Sequence, residues 1–378
     1  MEAIGIYIHI PFCNKKCYYC DFTSFSGKDD KIEDYIYYLI EELKIYKRII
    51  KNRRIKSIFI GGGTPSSIDA KYIGRILEVI NNNFNIEALE EVTIEVNPGT
   101  LDLEKVKLYK KSGINRVSMG VQTFNDKTLK NIGRIHDGSQ VSNSYDILKE
   151  GGFENINLDF IFGLPDETIV DVRRNLDIIE ELKPSHISYY GLILEEDTHL
   201  YNLYKRGYLN IPSDKEEREM YYLIKDRLNS MGYKHYEISN FSMEEKECKH
   251  NLLYWDIKEY IGLGLSSHSF LNGKRYWNRN NFKSYFSDLA GKELPVEGEE
   301  TISLPIEISE FAIMGLRLIK GIDKSEFKKR FHENISYYYG DVIRKHIGNR
   351  LLEDDDGFIR LTSKGLDLSN KVEVDFLL

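Results

Sequence analysis

Two textures alternate along the first half of the chain. Short runs rich in β-branched and aromatic residues are bounded by Gly, Pro or Asn: AIGIYIHI (3–10), IKSIFI (55–60), EVTIEV (91–96), NRVSMGV (115–121), NINLDFIF (155–162) and SHISYYGLI (185–193). Such runs predict strands. Between them lie segments whose apolar residues recur at helical spacing, over 31–50, 69–82, 102–112, 125–132, 139–150 and 168–182. Strand-then-helix order, repeated about every 25–45 residues, predicts a parallel sheet with crossover helices. The six units fall short of the eight of a closed barrel, so an incomplete barrel and an open doubly wound sheet both satisfy the pattern. Either way, ligands belong at the carboxyl ends of the strands.

The second half reads differently. A helix is predicted over 215–231, a strand over 233–239, and a loop-rich aromatic segment to about 290. Residues 305–350 carry helical spacing. LLEDDDGFIRLT (351–362) reads as two short strands about an Asp-Gly turn, and a last short helix follows. Helices followed by a hairpin suggest a small winged-helix-like domain.

Composition narrows the class. The chain has 378 residues, 41% hydrophobic and 30% charged, which fits a soluble globular protein with one large and one smaller domain. The net charge of −8 gives no support for nucleic-acid binding. The start, MEAIGIYIHIPFC, lacks a basic n-region and a small-residue cleavage site, so no signal peptide is expected. No apolar run approaches the roughly 20 residues that span a bilayer. Four cysteines, three of them clustered, make no disulfide framework and point to a reducing, cytoplasmic setting.

The cluster is CNKKCYYCDF, with Cys13, Cys17 and Cys20 within eight residues. As a helical stripe they would be packing, but the neighbours are polar and Pro11 precedes them. Zinc would need a fourth ligand, for which Cys248 and His250 are available without any spacing that demands them. The reading that remains is a 4Fe-4S cluster on three thiolates, with one iron left open for chemistry. After the second strand comes GGGTP (61–65), either a tight turn or a backbone cradle for a ligand. Glu95, Gln122 and Asp159 are polar residues in or just after strands expected to be covered on both faces; each needs a partner, structural or ligand. Arg134, at a helix end or loop, reads as the partner of a carboxylate.

The C-x3-C-x2-C spacing just after a first strand resembles the radical S-adenosylmethionine (SAM) enzymes, and the resemblance extends over essentially the whole chain. It implies an α/β fold: a partial (β/α)6 TIM barrel over 1–235, a barrel-capping connecting segment over 236–304, and a small winged-helix-like α+β domain over 305–378. It also implies that SAM chelates the open iron and is cleaved to a 5′-deoxyadenosyl radical. YIHIPFC, GGGTP, IEVNPG, SMGVQTF, NIGRIH and LDFIFGLP are similar to the oxygen-independent coproporphyrinogen III dehydrogenase family. On that resemblance, SAM contacts carry over to Tyr7, Tyr19, Gly62, Gly63, Thr64, Glu95, Gln122, Arg134 and Asp159, and cluster ligation to Cys13, Cys17 and Cys20.

Two departures turn the expectation. The dehydrogenase pattern has a fourth cysteine where this chain has Phe22, and it carries an N-terminal arm for which twelve residues before Cys13 leave no room. The C-x3-C-x2-C-D-F ending, the short start and HNLLYW (250–255) resemble instead the radical SAM heme chaperones. This implies heme binding and delivery to acceptor proteins, one of which is expected to be membrane-associated, with an electron donor such as a flavodoxin or ferredoxin. The chain would act as a monomer or dimer. His250 is then a candidate heme ligand and Tyr254 and Trp255 candidate packing for the macrocycle; the ordinary alternative is a loop capping the barrel's open end. His268 is a further candidate, for heme or for the SAM site. Oxidative decarboxylation of coproporphyrinogen propionates stays as the enzyme alternative.

Overall fold

The computed structural model describes residues 3–355 and 357–378. Six strands, β1 (Ile4–Ile10), β2 (Ile55–Gly62), β3 (Glu91–Val96), β4 (Arg116–Gln122), β5 (Asn155–Phe162) and β6 (His186–Gly191), pair in sequence order, all parallel. The crossovers are helices α1 (Ile32–Ile50), α2 (Ala70–Asn83), α3 (Leu103–Lys111), α4 (Asp126–Asn131), α5 (Gly138–Glu150) and α6 (Ile169–Leu182). This is the incomplete barrel rather than the doubly wound sheet. Ile4, Ile6, Ile8 and Ile10 of β1 are fully buried. Burial of each stabilises by about 1.5–3 kcal/mol as an upper bound.

The alternate positions are polar: Tyr7 and His9 in β1, Ser57 in β2, Glu91, Thr93 and Glu95 in β3, Arg116 and Ser118 in β4, Asn157 and Asp159 in β5, His186 and Ser188 in β6. This corrects the expectation that a covered strand has no polar face. Rolling the sheet gives each strand an apolar side toward the helices and a polar side toward a lumen.

The segment expected to be loop-rich is largely regular. After α7 (His199–Lys205) and α8 (Asp214–Ser230), strands β7 (Lys234–Glu237) and β8 (Asn240–Ser242) add antiparallel beyond β6. Helix α9 (Lys249–Trp255) follows. Strand β9 (Tyr260–Leu263) then pairs parallel with the opposite edge, on β1, and β10 (His268–Leu271), β11 (Lys274–Asn278) and β12 (Val296–Thr301) extend that edge antiparallel. The result is one twelve-stranded sheet. These strands are three to six residues long and interrupted by turns, too short for periodicity to show.

Residues beyond 302 form helices over 304–317, 324–331 and 335–348, a small sheet of β13 (Ile322–Asp323), β15 (Phe358–Leu361) and β14 (Leu352–Asp354) in that order, and after the hairpin two short helices over 363–366 and 369–373. The hairpin matches expectation; its Asp-Gly turn involves Asp356, outside the described residues. The third strand, β13, was not anticipated. A separate core of Phe311, Phe327, Phe331, Tyr339, Ile359 and Phe376 holds this unit together.

Candidate cofactor site

The carboxyl ends of the parallel strands open on a cleft with a cavity volume of about 430 Å³. Cys13, Cys17, Cys20 and Tyr19 line it, as do Gly62, Gly63, Thr64, Glu95, Gln122, Arg134 and Asp159. All the candidate cluster and SAM residues except Tyr7 therefore meet in one place; the heme candidates His250, Tyr254, Trp255 and His268 do not.

The cysteines lie in a loop, not a helix, which removes the stripe reading. Backbone bonds pin that loop: Cys13 N–H donates to Phe25 O at 3.0 Å, Phe25 N–H to Pro11 O at 2.7 Å, and Tyr18 N–H to Ile132 O at 3.0 Å. The three thiols are half-exposed, whereas Cys248 is fully buried. Burial raises the Cys13 thiol above its ordinary range and pushes Cys20 up to about 11.

GGGTP brings its backbone alongside. Gly63 N–H donates to Ile10 O at 2.9 Å and Thr64 N–H to Phe12 O at 2.8 Å, which sets Thr64 Oγ1 3.5 Å from Cys13 Sγ. Gly62 adopts φ +109°, and a Cβ there would lie 2.5 Å from the His9 ring. A Cβ on Gly63 would lie 2.8 Å from Phe12 O. Only glycine permits this close stacking of the loop on the cysteine-bearing strand end.

Glu95 Oε2 accepts from Gly62 N–H at 3.1 Å. Burial, then the nearby Asp159, push its carboxyl up to about 8. Asp159 accepts from Ser118 Oγ at 2.8 Å and from Asn157 Nδ2 at 2.7 Å, and burial raises it as well. Gln122 ends β4 at φ +69°, just after a register shift between β4 and β5. That irregularity re-aims its side chain into the cleft.

Arg134 follows a tight helix end. Its N–H donates to Leu129 O at 2.9 Å past Gly133 at φ +82°, and a Cβ on Gly133 would strike the Tyr18 ring at 2.9 Å. The guanidinium donates to Asn97 Oδ1 at 2.8 Å, to Gly120 O, and to Cys17 Sγ at 3.6 Å. Its partners are thus carbonyl oxygens, a sulfur and the Tyr19 hydroxyl, not the expected carboxylate. Arg134 ties the cysteine loop to the ends of β3 and β4. Asn97, Ser118 and Tyr190 also line the cleft and were not singled out from sequence. Period-two alternation flags the last two, Ser118 with Gln122 and Tyr190 with Ser188.

Cys248 and His250, the available fourth ligands for zinc, lie buried against Glu91 at the start of α9 and do not line the cleft of the cysteine loop. Three spaced, half-exposed thiols at the mouth of the cleft fit a larger cluster, and the cleft beside them has room for a nucleoside ligand.

The remaining candidates lie elsewhere. Tyr7 faces a deeper chamber, its hydroxyl 3.0 Å from His9 Nδ1, while His9 Nε2 lies 2.7 Å from Thr23 O. HNLLYW is neither a loop nor at the open end. It is α9, which seals the lumen where the strands begin: Glu91 accepts from Lys249 N–H at 2.9 Å and from His250 N–H at 3.1 Å. His250 is 1% exposed, with Nδ1 2.8 Å from Ser57 Oγ and Nε2 2.8 Å from Tyr254 Oη. Both ring nitrogens are engaged, so in this arrangement His250 offers heme iron no free nitrogen. His268 is exposed on β10 and stacks on Trp277.

A partial parallel barrel with three cysteines after its first strand and a glycine loop after its second defines a radical SAM protein. The Radical SAM superfamily model matches residues 7–189, and the HemN C-terminal domain model matches 302–368. Members of that superfamily use a 4Fe-4S cluster and SAM. The heme chaperone HemW of Lactococcus lactis is 40% identical over 375 residues, covering 98% of this chain and 97% of its own. That of Bacillus subtilis is 35% identical, covering 98% of each. The chain belongs to the HemW family. The fold is also that of coproporphyrinogen III oxidase (HemN) from Escherichia coli, with a TM-score of 0.87 at 22% identity over 100% of this chain and 90% of that one.

Proposed function

We propose that this protein is a heme chaperone that binds heme and passes it to acceptor proteins, and that it carries a SAM-coordinated 4Fe-4S cluster. The observation that carries the reading is similarity along nearly the whole chain to proteins named heme chaperone HemW. Phe22 supports it. In place of a fourth thiol, the mouth of the cleft bears a phenyl ring that is 62% exposed.

Cys13, Cys17 and Cys20 would hold the cluster. When bound, cluster and SAM supply one-electron chemistry that no side chain can. The chain's own groups bind and orient. The Gly62–Thr64 backbone offers polar groups to the methionyl end, and Glu95, Gln122 and Asp159 offer acceptors to ribose hydroxyls. Tyr19 covers the cysteine side, and Arg134 keeps loop and strands in register. His250 acts as an anchor of α9, its ring nitrogens held by Ser57 and Tyr254, and another group ligates the heme.

The test is a pair of assays on anaerobically reconstituted protein: heme titration by absorbance and coproporphyrinogen decarboxylation. A saturable heme spectrum without decarboxylation is expected. Turnover to protoporphyrinogen, or no heme spectrum, overturns the reading. Cys17→Ala is expected to lose the cluster's brown absorbance; unchanged colour would refute its role as ligand.

A further inference from the structure

Below the cofactor cleft the lumen continues into a chamber of about 330 Å³, with Phe59, Asn157, Ser188 and Asn251 in its walls and floor. Arg116 sets its chemistry. The side chain projects from the first residue of β4, lines the chamber and is 2% exposed. Its Nε has no hydrogen-bond partner, and among the described residues no other side-chain hydrogen bond reaches it. The acidic groups around it are engaged with other donors. Glu91 accepts from the first N–H groups of α9 and from Cys248 Sγ at 3.5 Å; Asp159 accepts from Ser118 and Asn157.

A buried guanidinium without acceptors is costly, and its planar fork matches the two oxygens of a carboxylate. Hydroxyl and amide groups of Ser188, Asn157 and Asn251 stand around it. Arg116 is the one cation among the described residues of the chamber wall, and Glu95 and Asp159 form the upper wall. Glu91 and Asp159 already act on Arg116 as charge partners, so an added anion gains from Arg116 alone, and a singly charged acceptor is repelled less than a dianionic phosphate.

We propose that this chamber is a carboxylate-binding site in which Arg116 holds the anion, continuous with the cofactor cleft above, with which it shares Glu95, Ser118, Asp159 and Tyr190. The carboxylate has two sources, a free small aliphatic acid or a propionate arm of heme; the second rests on the heme reading above. The motif asparagine Asn251 thereby gains a role as the chamber floor.

Isotope-labelled propionate titrated into the full-length protein, followed by NMR line broadening, tests the site. Saturable binding is expected, weakened about tenfold or more in Arg116→Lys, which keeps the charge but not the fork. Asn251→Leu, which fills the floor without touching the cation, is expected to weaken it too. No saturable binding, as for a chamber that holds only water, overturns the proposal. So does equal affinity in both variants, with thermal melting confirming that each is folded. The same variants titrated with heme and with heme dimethyl ester identify the source. Weakened heme but unchanged ester points to the propionate arm; unchanged heme points to a free acid. A wild type that binds propionate but no heme sustains this site while overturning the heme chaperone reading.

Discussion

At the scale of single residues, the cleft is built from positions that local energetics disfavour. Gln122 adopts φ +69°, a region that costs a non-glycine residue about 1–2 kcal/mol. Gln122→Gly is expected to leave the melting temperature unchanged or raised while lowering SAM affinity about tenfold by calorimetry; equal SAM affinity would deny the side chain a role. Glu95 tells a similar story through pH. Its carboxyl ionises near 4.5 ordinarily and near 8 when folded. The folded state therefore keeps the proton that the unfolded state releases, and stability is full below about pH 4.5 and declines as pH rises toward 8. Glu95→Gln cannot titrate, so its stability relative to wild type is expected to rise across that window by on the order of 1–3 kcal/mol. Urea unfolding of the cluster-free protein at acidic, neutral and alkaline pH reads the difference. Glu42 and Glu167, also raised by burial, preserve part of the slope in the variant. Most of these residues were legible in the sequence because motif spacing names them. Arg134's partners were not, since a guanidinium reaching Asn97, Gly120 and Cys17 depends on three loops meeting in space.

At the scale of elements, α9 shows what periodicity misses. It has seven residues, fewer than an isolated helix needs, and EVTIEV gives no hint that its first glutamate will cap it. Glu91 is 3% exposed and accepts from two of the helix's leading N–H groups. Glu91→Ala is expected to cost about 1–3 kcal/mol and to speed hydrogen exchange over residues 249–255. Unchanged exchange there would show that packing alone holds the helix. By contrast, the six barrel strands were readable because each carries its own bounded run of β-formers. The short outer strands lack that redundancy and form because a sheet edge is present to receive them.

At the scale of the molecule, the sheet joins segments far apart in the chain, and a buried acid marks the seam. Glu42 on α1 is fully buried and accepts from Tyr285 Oη at 2.6 Å, Asn278 Nδ2 at 2.6 Å and Gly264 N–H at 2.9 Å. Those partners lie 222 to 243 residues away in sequence. Glu42→Ala strands three donors and is expected to destabilise the whole fold by about 2–4 kcal/mol; a melting temperature within 1 °C or so of wild type would contradict that. No local pattern could announce this contact, because both sides of it must fold first. The seal formed by α9 has a kinetic consequence. With the foot of the barrel closed, the lumen is a blind well rather than a tunnel, entered and left by the same end. On the proposed placement of SAM in the cleft, a free acid in the chamber is expected to enter before SAM and to depart after it, whereas a heme arm would bring its macrocycle into the space SAM takes. Order of addition, and not affinity alone, then governs how fast the complete assembly forms.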